Sequence, residues 1–376
     1  MKTFPLKVTI TALILFLQVG YAANPTKEDP IKKETIKVAL LLDTSNSMDG
    51  LIKQAKSQLW SIVNELSFAK YGMRKPDLEI ALYEYGNSGL PVREGYIRQV
   101  LQFSSDLDDI SEKLFSLTTN GGNEFCGQVI QTSLKELDWG KNENDLRFIF
   151  IAGNEPFTQG KINYKDAITD AKEKDIIINT IFCGEYNNGI SGKWKDGADL
   201  GGGDYMTINQ DKTVVHIVTP YDDKIIILNK KLNKTYIYFG TRGYDKYANQ
   251  SVQDGNAMKV SKEVSVKRAV SKGSRMYKNS GWDLVDADDA KKVDYEKLDK
   301  KTLPKHLKNK SANEIKLYVQ EQSKKRKDIK AKIQELNKKR TAYIAKKNKE
   351  NMKKDELESV LIKAIKKQAK RKNYSW

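Results

Sequence analysis

Along most of the first two hundred residues, runs of unbroken hydrophobicity alternate with stretches whose apolar residues recur every three or four positions. Ile36 to Leu42 is nearly continuous and ends at Asp43, as a strand buried on both faces of a parallel sheet reads. Leu51, Ala55, Leu59, Ile62, Val63 and Leu66 then follow a helical period. Leu78–Tyr83 predicts a second strand, and Tyr96–Phe103 a third with one exposed face. Helices are predicted over Leu107–Leu114 and Gly127–Leu137, a strand over Arg147–Ile151, a helix over Tyr164–Lys174 and a strand over Ile176–Phe182. Strand and helix in turn predict an α/β fold: a doubly wound, mostly parallel sheet flanked by helices. Gly184–Gly203 reads as a loop with one helical turn near Trp194, and Asp204–Ile208 as an edge strand.

Beyond this the pattern changes twice. Residues 213–290 form a small mixed connecting region of unassigned fold, with strand-like runs at Ile225–Leu228 and Tyr236–Phe239 and then a basic, helix-compatible stretch to Lys278. Residues 291–376 carry a broken apolar stripe (Ile315, Val319, Ile329, Ile333, Leu336, Tyr343, Leu357, Leu361, Ile365) in a Lys-rich background. That is the pattern of amphipathic helices, an α-helical tail.

At the other end, Lys2 and Lys7 precede an apolar run from Val8 to Val19 and small residues at Gly20 and Ala22. A secretory signal peptide over 1–22 is predicted, because a membrane-spanning helix needs about 20 apolar residues. A linker over 23–34 leads into a domain over 35–212. The expected location is the periplasm or outside the cell, with no transmembrane span after cleavage.

Composition adds two points. The net charge is +17, and from Asp286 onward 29 Lys and Arg face 14 Asp and Glu, a net of +15. The tail therefore has a charge able to attract an anionic surface, although solvated charge on a helical face is the commoner meaning of such a pattern. The chain has two cysteines, Cys126 and Cys183. In an exported protein a disulfide is the natural expectation, and two buried thiols are the alternative.

The chemistry concentrates where the first strand ends. Asp43-Thr44-Ser45-Asn46-Ser47 offers one carboxylate and two hydroxyls on a tight loop, and Mg²⁺ takes such oxygen ligands. A strand followed by Asp-x-Ser-x-Ser resembles the metal-ion-dependent adhesion site of von Willebrand factor A domains, and the resemblance extends from Ile36 to about Ile208. It implies a Rossmann-like fold, recognition of a protein or cell-envelope ligand without bond making, and a metal held by Asp43, Ser45 and Ser47. Two further loops depart from the family. Gly121-Gly122 is followed by Asn123 where Thr is usual, and Ile151-Ala152-Gly153-Asn154 lacks the usual Asp. Asn123 and Asn154 are the expected substitutes, so the residues admit Mg²⁺ or no metal at all. The two glycine-rich loops also resemble an exported bacterial subgroup of the family with a Lys/Glu-rich helical tail, and a Cys126–Cys183 bridge beside the site is compatible with that arrangement.

No enzyme is expected. A haloacid-dehalogenase-like phosphatase would need a second acid two residues after Asp43, where Ser45 stands. Gly201-Gly202-Gly203 precedes a strand rather than a helix and is no phosphate loop. His216 and His306 have no evident catalytic partner. A nucleic-acid partner is not expected either.

Overall fold

The computed structural model describes residues 33–208, 217–350 and 357–376. The predicted signal peptide, most of the linker and His216 lie outside the described residues.

In chain order the elements are β1 (Thr35–Asp43), α1 (Asp49–Leu66), β2 (Lys70–Tyr71), β3 (Asp77–Tyr85), β4 (Ile97–Ser104), α2 (Leu107–Phe115) and α3 (Cys126–Glu136). Next come β5 (Leu146–Gly153), α4 (Tyr164–Glu173), β6 (Ile177–Cys183), α5 (Tyr186–Ser191), α6 (Trp194–Leu200) and β7 (Gly202–Ile208). The remainder is α7 (Asp222–Asn233), α8 (Gly243–Val260), α9 (Lys262–Gly273), α10 (Leu284–Asp289), α11 (Ala312–Glu350), α12 (Leu357–Lys370) and β8 (Tyr374–Ser375).

Six strands form one sheet in the order β4-β3-β1-β5-β6-β7, parallel except for β4 at one edge. The mostly parallel, doubly wound α/β architecture is thus the one the alternation predicts. β1 lies between β3 and β5, which explains its unbroken hydrophobicity. Ile36, Val38 and Leu42 join the core shared with α1 and α2, while Ala39 and Leu41 join the core shared with α3 and α4. The loops at the carboxyl ends of β1, β3 and β5 therefore meet on one rim.

Three expectations are corrected. The Gly-rich stretch after β6 folds into two short helices, because Trp194 is fully buried between Phe157 and Phe182 (ring centroids 4.9 and 5.8 Å). That packing outweighs the poor helix propensity of glycine. Ile225–Leu228 lies inside α7, since a four-residue apolar run does not distinguish strand from helix. Tyr236–Phe239 forms only a single bridge, Tyr238 to Asp283, and no strand.

Residues Lys33–Trp376 pack as one unit. The helices after β7 cover the sheet face that carries α1. Arg326 of α11, 2% exposed, reaches Asp283 (2.5 Å) and Asp286 (2.8 Å) with its guanidinium 4.0 Å above the Tyr236 ring. Arg340 reaches Asp222 (2.9 Å). Gln368 of α12 bonds Asn179 of β6 (2.7 Å), β8 pairs with β2, and the Trp376 indole donates to the Glu65 carbonyl at the end of α1 (3.0 Å). Among the described residues no helix is long and apolar enough to cross a membrane.

Candidate functional site

Three loops build the rim. After β1 the chain turns sharply: the Met48 amide donates to the Ser45 carbonyl (3.0 Å), and the Thr44 amide is held by the Tyr85 carbonyl (2.9 Å). The turn leaves Asp43 wholly buried, with one carboxylate oxygen accepting from the Ser45 amide at 2.7 Å. The Ser45 and Ser47 hydroxyls stand 3.2 Å apart, and the Asn154 side-chain amide donates to Ser47 Oγ at 3.1 Å. The structure thus brings together four of the five expected residues: Asp43, Ser45, Ser47 and Asn154.

Asn123 is the exception. It is exposed and makes no hydrogen bond to this group, and its neighbour Glu124 turns inward instead, 3% exposed. Glu124 Oε2 accepts from the Glu155 amide (3.3 Å), while its own amide donates to Gln159 (3.4 Å). Its side chain crowds that of Asp43: both come within 3.0 Å of the position a Cβ on Gly86 would take. A second carboxylate therefore comes from the loop before α3, compensating for the one missing after β5. An acidic residue in a Gly-rich loop just ahead of an apolar helix was the available sequence signal.

Glycines permit this crowding. Gly86 has φ +78°, and a Cβ there would lie 2.7 Å from Asp43 Oδ1 and 2.9 Å from Glu124 Cγ. A Cβ on Gly153 would meet the Tyr85 hydroxyl at 2.6 Å and Asp43 Oδ2 at 3.1 Å. Tyr85, beneath the carboxyl pair, donates to the Ala152 carbonyl (2.9 Å).

The electrostatics follow from burial. Desolvation pushes the Asp43 pKa well above its ordinary value, the Glu124 carboxyl adds to this, and the hydrogen bond from Ser45 opposes it only in part. Among the rim residues Asp43, Ser45, Ser47, Glu124 and Asn154, two buried oxygens lack donors, Asp43 Oδ2 and Asn154 Oδ1. Buried acceptors are costly when left unmet. Among the described residues there is no group of three or more His, Cys, Asp or Glu arranged for a metal. What the rim offers is two carboxylates with hydroxyl and amide oxygens, a donor set suited to a hard divalent cation.

The expected disulfide is absent. Cys126 and Cys183 are both buried free thiols. Cys126 belongs to the core under α3 and Cys183 to the core under α1, on opposite faces of the sheet, so a bond between them would have to pass through it. Burial pushes both thiols up in pKa; Cys126 lies 3.8 Å from the Tyr85 hydroxyl.

Residues 37–191 match the von Willebrand factor type A domain. No curated protein matches the chain by sequence. Among solved structures the chain is similar to the conserved hypothetical protein BatB from Bacteroides thetaiotaomicron, with a TM-score of 0.35, 16% identity, and coverage of 46% of this chain and 90% of that one. It is similar to a von Willebrand factor type A protein from Catenulispora acidiphila (TM-score 0.36, 16% identity, 47% and 39% of the two chains). It is also similar to proximal thread matrix protein 1 from the mussel byssus with a zinc-occupied MIDAS motif (0.34, 12%, 48% and 43%). The chain spans less than half the length of the last two. By its sheet order and this match, the part of the chain over residues 37–191 is similar to the von Willebrand factor type A domain.

Proposed function

We propose that this chain is an exported binding protein that recognises a protein or cell-envelope ligand through the rim, where Asp43, Ser45, Ser47, Glu124 and Asn154 hold a divalent cation such as Mg²⁺. One observation carries the reading: Asp43 Oδ2 is buried without a donor beside a second buried carboxyl group. Two such groups cannot both stay ionised in a water-poor setting unless a cation lies between them; without one they share a proton. The cation would supply positive charge at the rim and a place for an anionic group of the ligand. Domains of this family are generally interaction modules, and no bond-making step is needed for this role.

In the test, chelator-treated protein is melted with and without excess Mg²⁺ or Mn²⁺. Saturation at a hundredfold excess over Kd stabilises by about 2.7 kcal/mol, so Tm should rise. Ser45→Ala with Ser47→Ala should abolish the rise, and Glu124→Gln should weaken it. A wild-type Tm indifferent to both ions ends the metal-dependent reading and leaves a rim held by hydrogen bonds.

A second reading has its own support. Lys224 of α7 and Lys332 and Lys339 of α11 line one groove between those helices, beside Ile227, which is 54% exposed, and Lys231 of α7 and Lys234 just after it line a second groove against α11. Such a face suits an anionic envelope surface. Truncating the tail is the wrong test, because α12 and β8 are packed into the sheet domain. Charge reversal at Lys224, Lys231 and Lys234 should instead abolish salt-sensitive binding to phosphatidylglycerol vesicles; unchanged binding rejects this reading.

A further inference from the structure

Where α8 meets α1 and the end of α2, the side chains of Lys53, Lys56, Phe115, Asn256, Lys259 and Val260 line a cavity of about 460 Å³. Its size falls within the roughly 300–1,000 Å³ of small-molecule pockets. It shares no residue with the rim around Asp43, and no carboxylate lines it.

Its charge is the notable feature. Lys56 donates to the Phe115 and Leu117 carbonyls (3.2 and 3.4 Å), with its ammonium 5.5 Å from the Phe115 ring. An ammonium has three donors, so this arrangement leaves one for the cavity. The nearest carboxylate in charge terms is Asp49, and its oxygen is already taken by the Thr119 hydroxyl at 2.5 Å. Burial accordingly lowers the Lys56 pKa more than Asp49 raises it. Lys53 and Lys259 form no ion pair among the described residues. Three ammonium groups thus surround a pocket with one aromatic and one aliphatic wall, Phe115 and Val260, and with the Asn256 amide as a further polar group. A second explanation exists for two of the lysines: the ammonium of Lys56, from α1, sits at the C-terminus of α2, and Lys259 is in the last turn of α8, where cations offset the helix dipole.

We propose that this cavity is a second binding site, for a compact organic anion: a phosphate monoester carried on an aromatic or short alkyl group. The phosphate meets Lys53, Lys56 and Lys259, and the apolar part lies against Phe115 and Val260. Charge-assisted hydrogen bonds give such a ligand its affinity, and the ring wall separates it from inorganic phosphate. The site exists only because α8 packs against the sheet domain, so the added helices create a pocket that the strands and helices of residues 37–191 alone would not close.

The experiment uses the full chain with chelator present throughout, which makes the outcome independent of metal at the rim. Phenyl phosphate, inorganic phosphate and phenol are each titrated by calorimetry. Phenyl phosphate is expected to bind saturably and at least about tenfold more tightly than either fragment, a step of about 1.4 kcal/mol. Lys53→Met with Lys259→Met should weaken it by roughly tenfold or more, as each lost ion pair is of that order, and Phe115→Leu should erase the preference over inorganic phosphate. Both variants change side chains at the surface or half-buried, and an unaltered melting curve verifies their fold. Absence of saturable binding, or equal affinity in the double lysine variant, overturns the proposal and leaves the lysines as partners of the helix ends. Retention of the phenyl preference in Phe115→Leu overturns the assigned ligand orientation.

Discussion

The helices added to the sheet domain are fixed by a buried ion network, and its removal is the most quantitative test of the packing. Asp254 of α8 accepts from Arg268 Nε (2.6 Å), Lys272 Nζ (3.0 Å), Asn229 (2.9 Å) and Asn233 (2.7 Å). Arg268, 1% exposed, also reaches Asp108 of α2 (2.7 Å), whose other oxygen takes the Tyr277 hydroxyl (2.5 Å). Two carboxylates and two cations balance, so the chain from α2 through α8 to α9 is neutral as a set. Burial alone would raise the Asp254 pKa, but Lys272 and then Arg268 hold it well below the ordinary carboxylate range. Asp254→Asn keeps the shape and deletes the charge, stranding Lys272 with the Asn233 carbonyl oxygen. Breaking one side of a buried pair costs about 3–5 kcal/mol, a large share of the roughly 5–15 kcal/mol that holds a typical domain folded.

The readout is urea unfolding followed by tryptophan fluorescence, since Trp60 lies 4.9 Å under the Arg268 guanidinium. Lys272→Met is the companion variant. Burial has already pushed Lys272 down to about 8 from 10.5, so its charge is held at a cost and its loss should be milder than that of Asp254. The sign follows from linkage. Between about pH 8 and 10.5 the unfolded chain holds a proton that the folded chain has released, so the Lys272 contribution grows as pH rises through that window and is lost as pH falls through about 8. Its order is about 3 kcal/mol at most. The stability difference between wild type and Lys272→Met should therefore slope with pH across this window. A cost below about 1 kcal/mol for Asp254→Asn, or strict additivity in the double variant, would refute the network as a joint.

Three other outcomes are expected. Thiol titration should find two reactive groups per chain in denaturant and almost none in the native protein, because Cys126 and Cys183 are free and buried; no reactive thiol in denaturant would restore the disulfide. Gly86→Ala should destabilise by about 1–3 kcal/mol through positive φ and contact with Asp43, and a stability unchanged by this substitution would contradict the close approach at the rim. Arg326→Lys should cost about 1–3 kcal/mol despite keeping the charge, since the three donors of an ammonium cannot replace the five hydrogen bonds that the guanidinium makes to Asp283, Asp286 and Thr235; a neutral effect in chemical denaturation would count against the bidentate arrangement.

The sheet was legible because its signals are local. β1 could be placed at the centre from its own composition, and Asp43, Ser45 and Ser47 followed from five consecutive residues. Glu124 was missed by one position because an irregular loop has no period to say which side chain turns inward; only packing against Asp43 decides it. For the cysteines half of the answer was in the sequence. Cys183 shares strand parity with Ile181 and so faces the α1 side, but the face on which α3 lands depends on crossover handedness, not on residues near Cys126.

The tail holds the most instructive case. Ile315, Val319, Gln322, Arg326, Ile333, Leu336 and Arg340 are all buried and recur along α11 at steps of three, four and seven. Reading charge as solvent-facing broke this stripe at its two arginines. They occupy core positions and meet the acids of other elements: Asp283 and Asp286 at the start of α10, and Asp222 at the start of α7. Lysine dominates the exposed faces of the same helix, where a flexible, hydrated ammonium is sufficient. Arginine stands at the two buried positions because its planar group can meet several acceptors at once while desolvated. In a Lys-rich helix, the residue type chosen among the cations is therefore itself a burial signal, one that hydrophobic periodicity alone overlooks.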